Sequence, residues 1–122
     1  MIFGPDLEIV PGWPFAVRDF GYDRTDTDVI HELWDQDTYH VHGRENVQTI
    51  VDIGGNIGGF SLLMCRLYPA ATIVTYEPES ENYQVLLENL ARMDHRKQVT
   101  QHNVAIWSEA GEVSVSAGSN AA

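Results

Sequence analysis

Basic residues, cysteine and long apolar runs are scarce in this chain of 122 residues, and each scarcity removes a class of function. Lys and Arg total 7 against 18 Asp and Glu, a formal net charge of −11. A balance so acidic disfavours nucleic acid and anionic membrane surfaces, because both repel it. The single cysteine, Cys65, cannot build a disulfide framework within one chain and points to a reducing, cytoplasmic compartment. No apolar stretch approaches the roughly 20 residues of a membrane-spanning helix, and the first residues, with Asp6 and Glu8, have no basic stretch of the kind that opens a secretory leader. A Gly-Lys-Ser/Thr triplet is missing, which excludes a phosphate-binding P-loop. There are no internal repeats.

What is present suffices for one small domain. Hydrophobic residues make up 43% and aromatic residues 10%, enough to bury a core. The most informative stretch is Thr49 to Ser61, T-I-V-D-I-G-G-N-I-G-G-F-S. Strand formers Ile50, Val51 and Ile53 carry Asp52 near their end. Gly54, Gly55, Gly58 and Gly59 follow within six positions, and Phe60, Leu62, Leu63 and Met64 resume as a helix. Strand, glycine turn and helix together bring backbone N–H groups towards a ligand that a Cβ would hold off.

In chain order, Pro5, Pro11 and Pro14 with Gly4, Gly12 and Gly21 predict turns and extended pieces, with a short strand over Phe15 to Arg18. Thr27 or Asp28 caps a helix over Val29 to Asp35, with Ile30, Leu33 and Trp34 on one face. Asp37 to His42 reads either as a helix end or as an extended connection. Gly43 to Asn46 turns into a first strand, Gln48 to Ile53. Gly59 to Tyr68 is a helix stopped by Pro69, with Cys65 on its apolar side as a core residue. Ala71 to Tyr76 is a β-branched strand consistent with burial on both faces. Ser80 caps a helix to about Met93, with Tyr83, Leu86, Leu87 and Leu90 inward. Val99 to Ile106 is a third strand with a bend near Asn103, and Glu112 to Ser116 a fourth. This β-α-β-α-β order predicts an α/β fold with a parallel sheet, and right-handed crossovers set the second strand beside the first and the third beside the second. The ligand crevice falls at the carboxyl end of the first strand.

The nucleotide-type ligand can be narrowed. From Gly54 the chain reads G-G-N-I-G-G, so Asn56 occupies the position of the middle glycine in the dinucleotide fingerprint G-x-G-x-x-G, and the fit is poor. Asp52, Gly54, Asn56 and Gly58 instead follow acidic-x-G-x-(G/N)-x-G, a loop that can fold around a methionine-derived carboxylate and amine. Glu77, 23 residues after Gly54 at the end of the second strand, can accept both hydroxyls of a ribose, and Pro78 fixes the turn after it. Plainer readings stand beside these: a connecting turn, a solvated Glu77, an Asp52 that caps the following helix. His40 and His42 have the spacing of a metal pair in a strand, but no further ligands complete it, so no metal is expected. Trp13, Trp34 and Trp107 read as core or lid packing.

V-D-I-G-G-N-I-G-G-F-S, then Y-E-P, E-N-L and N-V-A-I-W-S-E-A-G-E-V, resemble the FkbM-type methyltransferases, over roughly Arg18 to Ser116. The resemblance implies a Rossmann-like class I fold and S-adenosylmethionine as cofactor, with a small molecule or sugar methylated on oxygen. It implies that Asp52, Gly54, Asn56 and Gly58, with Gly55 and Ile57 in the same loop, surround the methionine part. Glu77 holds the ribose, Pro78 borders the adenine, Asn103 lies at its edge and Val104 on its face. Tyr39 closes the site from an N-terminal segment, residues 1–46, that covers the domain half formed by residues 47–122. The family's domain continues for about another hundred residues, with a K-I-D-V-E-G-like strand on the far side of Gln48 to Ile53. The chain therefore resembles a cofactor-binding half, truncated after three or four strands. It is expected to leave an edge of its first strand and a flank of its first core helix exposed, an invitation to self-association. No catalytic residue is assigned.

Overall fold

In the computed structural model, residues 10–18, 25–36, 39–94 and 97–111 are described. Three β-branched runs form the sheet: β1 (Thr49–Ile53), β2 (Thr72–Tyr76) and β3 (Val99–His102). All pair in parallel in the order β1-β2-β3, with Asp52 opposite Thr75 and Thr75 opposite Gln101. Between them run α2 (Gly59–Leu67) and α3 (Ser80–Arg92), with α1 (Thr25–Asp35) ahead of β1. This is the expected α/β alternation with the expected neighbours. Cys65 is buried, and burial pushes its thiol up to about 12.

The described helices cover one face of the sheet. Ile73 and Thr75 of β2 are fully buried, whereas Thr72 is exposed and Val74 and Tyr76 are half-buried. On β1, Val51 is 57% and Ile53 65% exposed. The expected two-sided burial of β2 is thus corrected: a parallel sheet needs helices on both faces to bury every side chain, and here α2 and α3 lie on the same one. β1 is paired on one edge only among the described strands.

The expected bare flank on α2 is also corrected. Gly59 and Ser61 to Cys65 are buried, because α1 lies across them. Trp34 docks α1 by donating its indole Nε1–H to Gly59 O at 2.9 Å, and Phe15 meets its ring edge-on at 5.3 Å. α1 starts at Thr25, earlier than its predicted caps. Its Asp26 is held by Arg18, whose backbone N–H and guanidinium donate to the carboxylate at 2.8–3.0 Å. That pairing raises the Arg18 pKa.

Other boundaries move for local reasons. Glu79, not Ser80, caps α3: its carboxylate accepts from the N–H groups of Glu81 and Asn82. The inner face of α3 is Asn82, Val85, Leu86, Asn89 and Leu90, with Tyr83 and Leu87 only half-buried. This face includes Asn89, whose side chain is bonded inward. Phe15 to Arg18 forms no strand; instead the fully buried Asn89 side chain acts as Ala16's ladder partner, its Oδ1 accepting from Ala16 N at 2.5 Å and its Nδ2 donating to Ala16 O at 3.2 Å. The same Nδ2 donates to Ile57 O at 2.7 Å. β3 stops at His102, where Asn103 turns aside to bond the β2–α3 connection, and Trp107 beyond it is 70% exposed and so not part of the core. The predicted fourth strand, Glu112 to Ser116, lies outside the described residues.

Asn89→Ala strands three buried backbone groups and should cost about 3 kcal/mol, read as a lower urea midpoint with little change in slope.

Candidate functional site

The site is built where β1 ends. The glycine loop turns back under Tyr76, whose carbonyl accepts from both Gly54 N (2.8 Å) and Gly55 N (2.9 Å). Asn56 N donates to Glu77 Oε1 at 2.8 Å and Gly58 N to Gly55 O at 2.9 Å. Four of the loop's N–H groups are therefore consumed by the protein. The expectation that they face a ligand is corrected: the bend that joins β1 to α2 spends them on β2 and on the loop itself.

The glycines serve different ends. A Cβ on Gly55 would sit 2.1 Å from Thr75 Oγ1, and one on Gly59 2.8 Å from Ile30 Cδ1, so both are glycine because neighbouring elements pass close. Gly54 and Gly58 have φ of +83° and +96°, a left-handed backbone that an L side chain strains to adopt. In front of Gly54 a Cβ would meet nothing within 4 Å.

That open space is a cleft of about 540 Å³. Asp52, Gly54, Gly55, Asn56, Ile57 and Tyr39 line it, so six of the eleven predicted cofactor residues converge there. Gly58 is buried within the turn and is not among its lining residues. Pro78, Asn103 and Val104 line a second groove of about 570 Å³, with Ile106 and Trp107. Asn103 Nδ2 donates to the carbonyls of Glu77 (2.8 Å) and Pro78 (3.3 Å). Glu77 lines neither cleft. It is 3% exposed, accepting from Asn56 N through Oε1 and from Glu79 N through Oε2 at 2.8 Å each. Two of its roughly four lone-pair sites remain.

Asp52 is the charged centre of the first cleft. Ser61 Oγ donates to its Oδ2 at 2.8 Å and Thr75 Oγ1 more weakly at 3.4 Å. Burial raises its pKa, the two donors pull it back, and the nearby Glu77 charge raises it further. Asn56, at φ +52°, keeps a buried Oδ1 with no partner. Sequence reasoning missed the other wall: Val29, Glu32 and Leu33 of α1, with Phe60. The i, i+3, i+4 spacing of the first three was the available signal, since it sets them on one helix face. The cleft is thus rich in acceptors and aromatic surface, with no basic residue among the described residues that line it. It suits a ligand carrying positive charge and donors, and it suits a pyrophosphate poorly.

Two outcomes follow. A folded-state pKa above the unfolded value means that Asp52 favours folding when protonated, and this contribution is lost as pH rises through the folded value. Asp52→Asn should therefore raise the melting temperature at neutral pH, with the gain vanishing near the ordinary aspartate pKa of about 4. Gly55→Ala should cost about 1–3 kcal/mol by overpacking. Adding Thr75→Ala removes the clashing hydroxyl, so denaturant titration of the pair should show destabilisation below the sum of the single changes.

No family model matches the chain. In sequence it is similar to Methyltransferase sdnD of Sordaria araneosa, 37% identical over 83 residues, and to Methyltransferase 1 of Beauveria bassiana (strain ARSEF 2860), 35% identical over 68 residues. Those stretches cover 68% and 55% of this chain but 32% and 27% of the relatives, so the chain spans about a third of their length or less. In structure it is similar to a Pyrococcus horikoshii protein described as a transferase and to TYW2 of the same organism in complex with MeSAdo. Each has a TM-score of 0.50 and 16% identity; they cover 76% and 75% of this chain and 32% and 33% of the solved chains. The fold is the Rossmann-like α/β fold of these neighbours, and the sequence relatives are methyltransferases.

Proposed function

We propose that this chain is the cofactor-binding portion of an S-adenosylmethionine-dependent methyltransferase of the FkbM type, methylating an oxygen of a small molecule or sugar in the cytoplasm. The observation that carries the reading is the acceptor-rich cleft at the carboxyl end of β1, which Asp52, Asn56 and Glu32 line around the open space before Gly54. S-adenosylmethionine fits such a surface because its ammonium and sulfonium groups are cationic and its ammonium donates hydrogen bonds. The methyltransferase relatives and the neighbour solved with MeSAdo support the same reading.

Bound cofactor would supply an electrophilic methyl on a sulfonium, whose sulfur would leave as a neutral thioether as the acceptor's oxygen takes the methyl. The protein's part in such a step is largely positioning and exclusion of water. Asp52 and Asn56 would hold the amino-acid end. Glu77, expected to hold the ribose, is buried and lines neither cleft, so its part would be to hold the loop through Asn56 N, while Pro78, Asn103 and Val104 would form the adenine groove. No described residue is assigned as general base.

A second reading, a half-domain that needs another chain to complete its sheet, is favoured by the single-sided pairing of β1 and the exposure of Val51 and Ile53. An unblunted edge of this kind recruits strands. Size-exclusion chromatography over a concentration series tests it, a concentration-independent monomer being the result against it.

Calorimetric titration of the full chain with S-adenosylmethionine should give binding that weakens as pH falls, as protonation removes the Asp52 charge, with the loss setting in above the ordinary aspartate range because burial raises this pKa. Asp52→Asn should bind more weakly although it folds more stably, and NAD should not compete. Absence of binding at millimolar cofactor would sink the assignment.

A further inference from the structure

One corner of the cleft is not explained by the loop. Tyr39 and Phe60 meet edge to face, ring centroids 6.0 Å apart and planes at 82°, and both border the cleft beside Glu32. Tyr39 is 63% exposed, so core packing does not account for its position. The backbone that follows it is anchored instead. The phenol of Tyr68 donates to Val41 O and accepts from Arg44 N at 3.1 Å, while the Arg44 guanidinium donates to His40 O through Nε (3.2 Å) and Nη2 (3.0 Å). His40, Gly43 and Asn46 all have positive φ, so this strap is tightly folded as well as bonded. A solvent-facing ring on an unsupported connection would lose more rotamer freedom on binding than one already fixed.

A fixed aromatic ring attracts a cation within about 6 Å of its centroid through the negative potential of its face, and a carboxylate beside it adds to that field. A neutral thioether gains neither. We propose that Tyr39 and Phe60, with Glu32, form an onium-reading corner that makes the site prefer the positively charged sulfonium of S-adenosylmethionine over the neutral S-adenosylhomocysteine, and that Tyr68 is the positioning residue that holds Tyr39 there. The inference rests on the cofactor reading above and deepens it. Methyl transfer discharges the sulfur, so the corner's grip is released by the reaction itself.

The test is titration of both ligands into the full chain. The unaltered chain should prefer the sulfonium. Tyr39→Leu should weaken S-adenosylmethionine about three- to tenfold while leaving S-adenosylhomocysteine nearly unchanged; Tyr39→Phe, which keeps the ring, should retain the preference. Tyr68→Phe, which removes the clamp but no cleft contact, should shift the ratio of the two affinities in the same direction by less. Equal losses on both ligands, or no preference in the unaltered chain, would overturn the corner while leaving the cofactor reading in place. Failure of both ligands to bind the unaltered chain would overturn the two together.

Discussion

One carboxylate joins the parts of this protein that matter most. Glu77 accepts from Asn56 N with one oxygen and from Glu79 N with the other, both at 2.8 Å and almost wholly out of water. The first bond ties the loop after β1 to the end of β2; the second ties the end of β2 to the cap of α3. Charge-assisted hydrogen bonds of this kind are roughly twice as strong as neutral ones. With Tyr76 O taking two further N–H groups from the same loop, the connection between the two strands is held at consecutive residues of β2 and its end. The cleft inherits its shape from that clamp.

A buried acid next to another acid is an expensive arrangement. Asp52 and Glu77 are both nearly out of solvent, and only hydroxyl and amide donors face them directly. The raised Asp52 pKa is the sign of that cost. A cationic ligand in the cleft would relieve it, and a neutral or anionic one would not. The same reasoning explains why an acidic chain with few basic residues is compatible with a nucleoside ligand: the groups that meet the cleft need a positive partner, not a phosphate.

Much of this was legible in the sequence. The spacing of the β-branched runs gave the parallel order β1-β2-β3, and Pro69 set the end of α2. Asp52, Gly54 and Asn56 were identified by residue type and interval alone, and they do line one cleft. What was not legible depended on contacts between distant segments. Gly55 and Gly59 looked like ligand-approach positions, but the close bodies are Thr75 and Ile30. Asn89 has no assigned role in the sequence beyond the E-N-L stretch, yet its side chain bonds the backbone of Ala16 across 73 residues. The one-sided burial of β2 could not be read from its β-branched composition, because such residues suit a half-covered strand as well as a fully covered one.

The three tryptophans sit in three unlike surroundings. Trp34 is buried in the joint between α1 and α2, hydrogen-bonded to Gly59 and 5.5 Å beneath the Arg66 guanidinium. Trp13 tilts against it at 4.9 Å, while Trp107 stands in solvent on the second groove. Because Gly59 begins the helix that closes the glycine loop, the indole of Trp34 registers the seating of one cleft wall against the other, and Trp107 registers the far groove separately. The coupled Trp13–Trp34 pair and the solitary Trp107 thus place native fluorophores at two separate regions of the molecule.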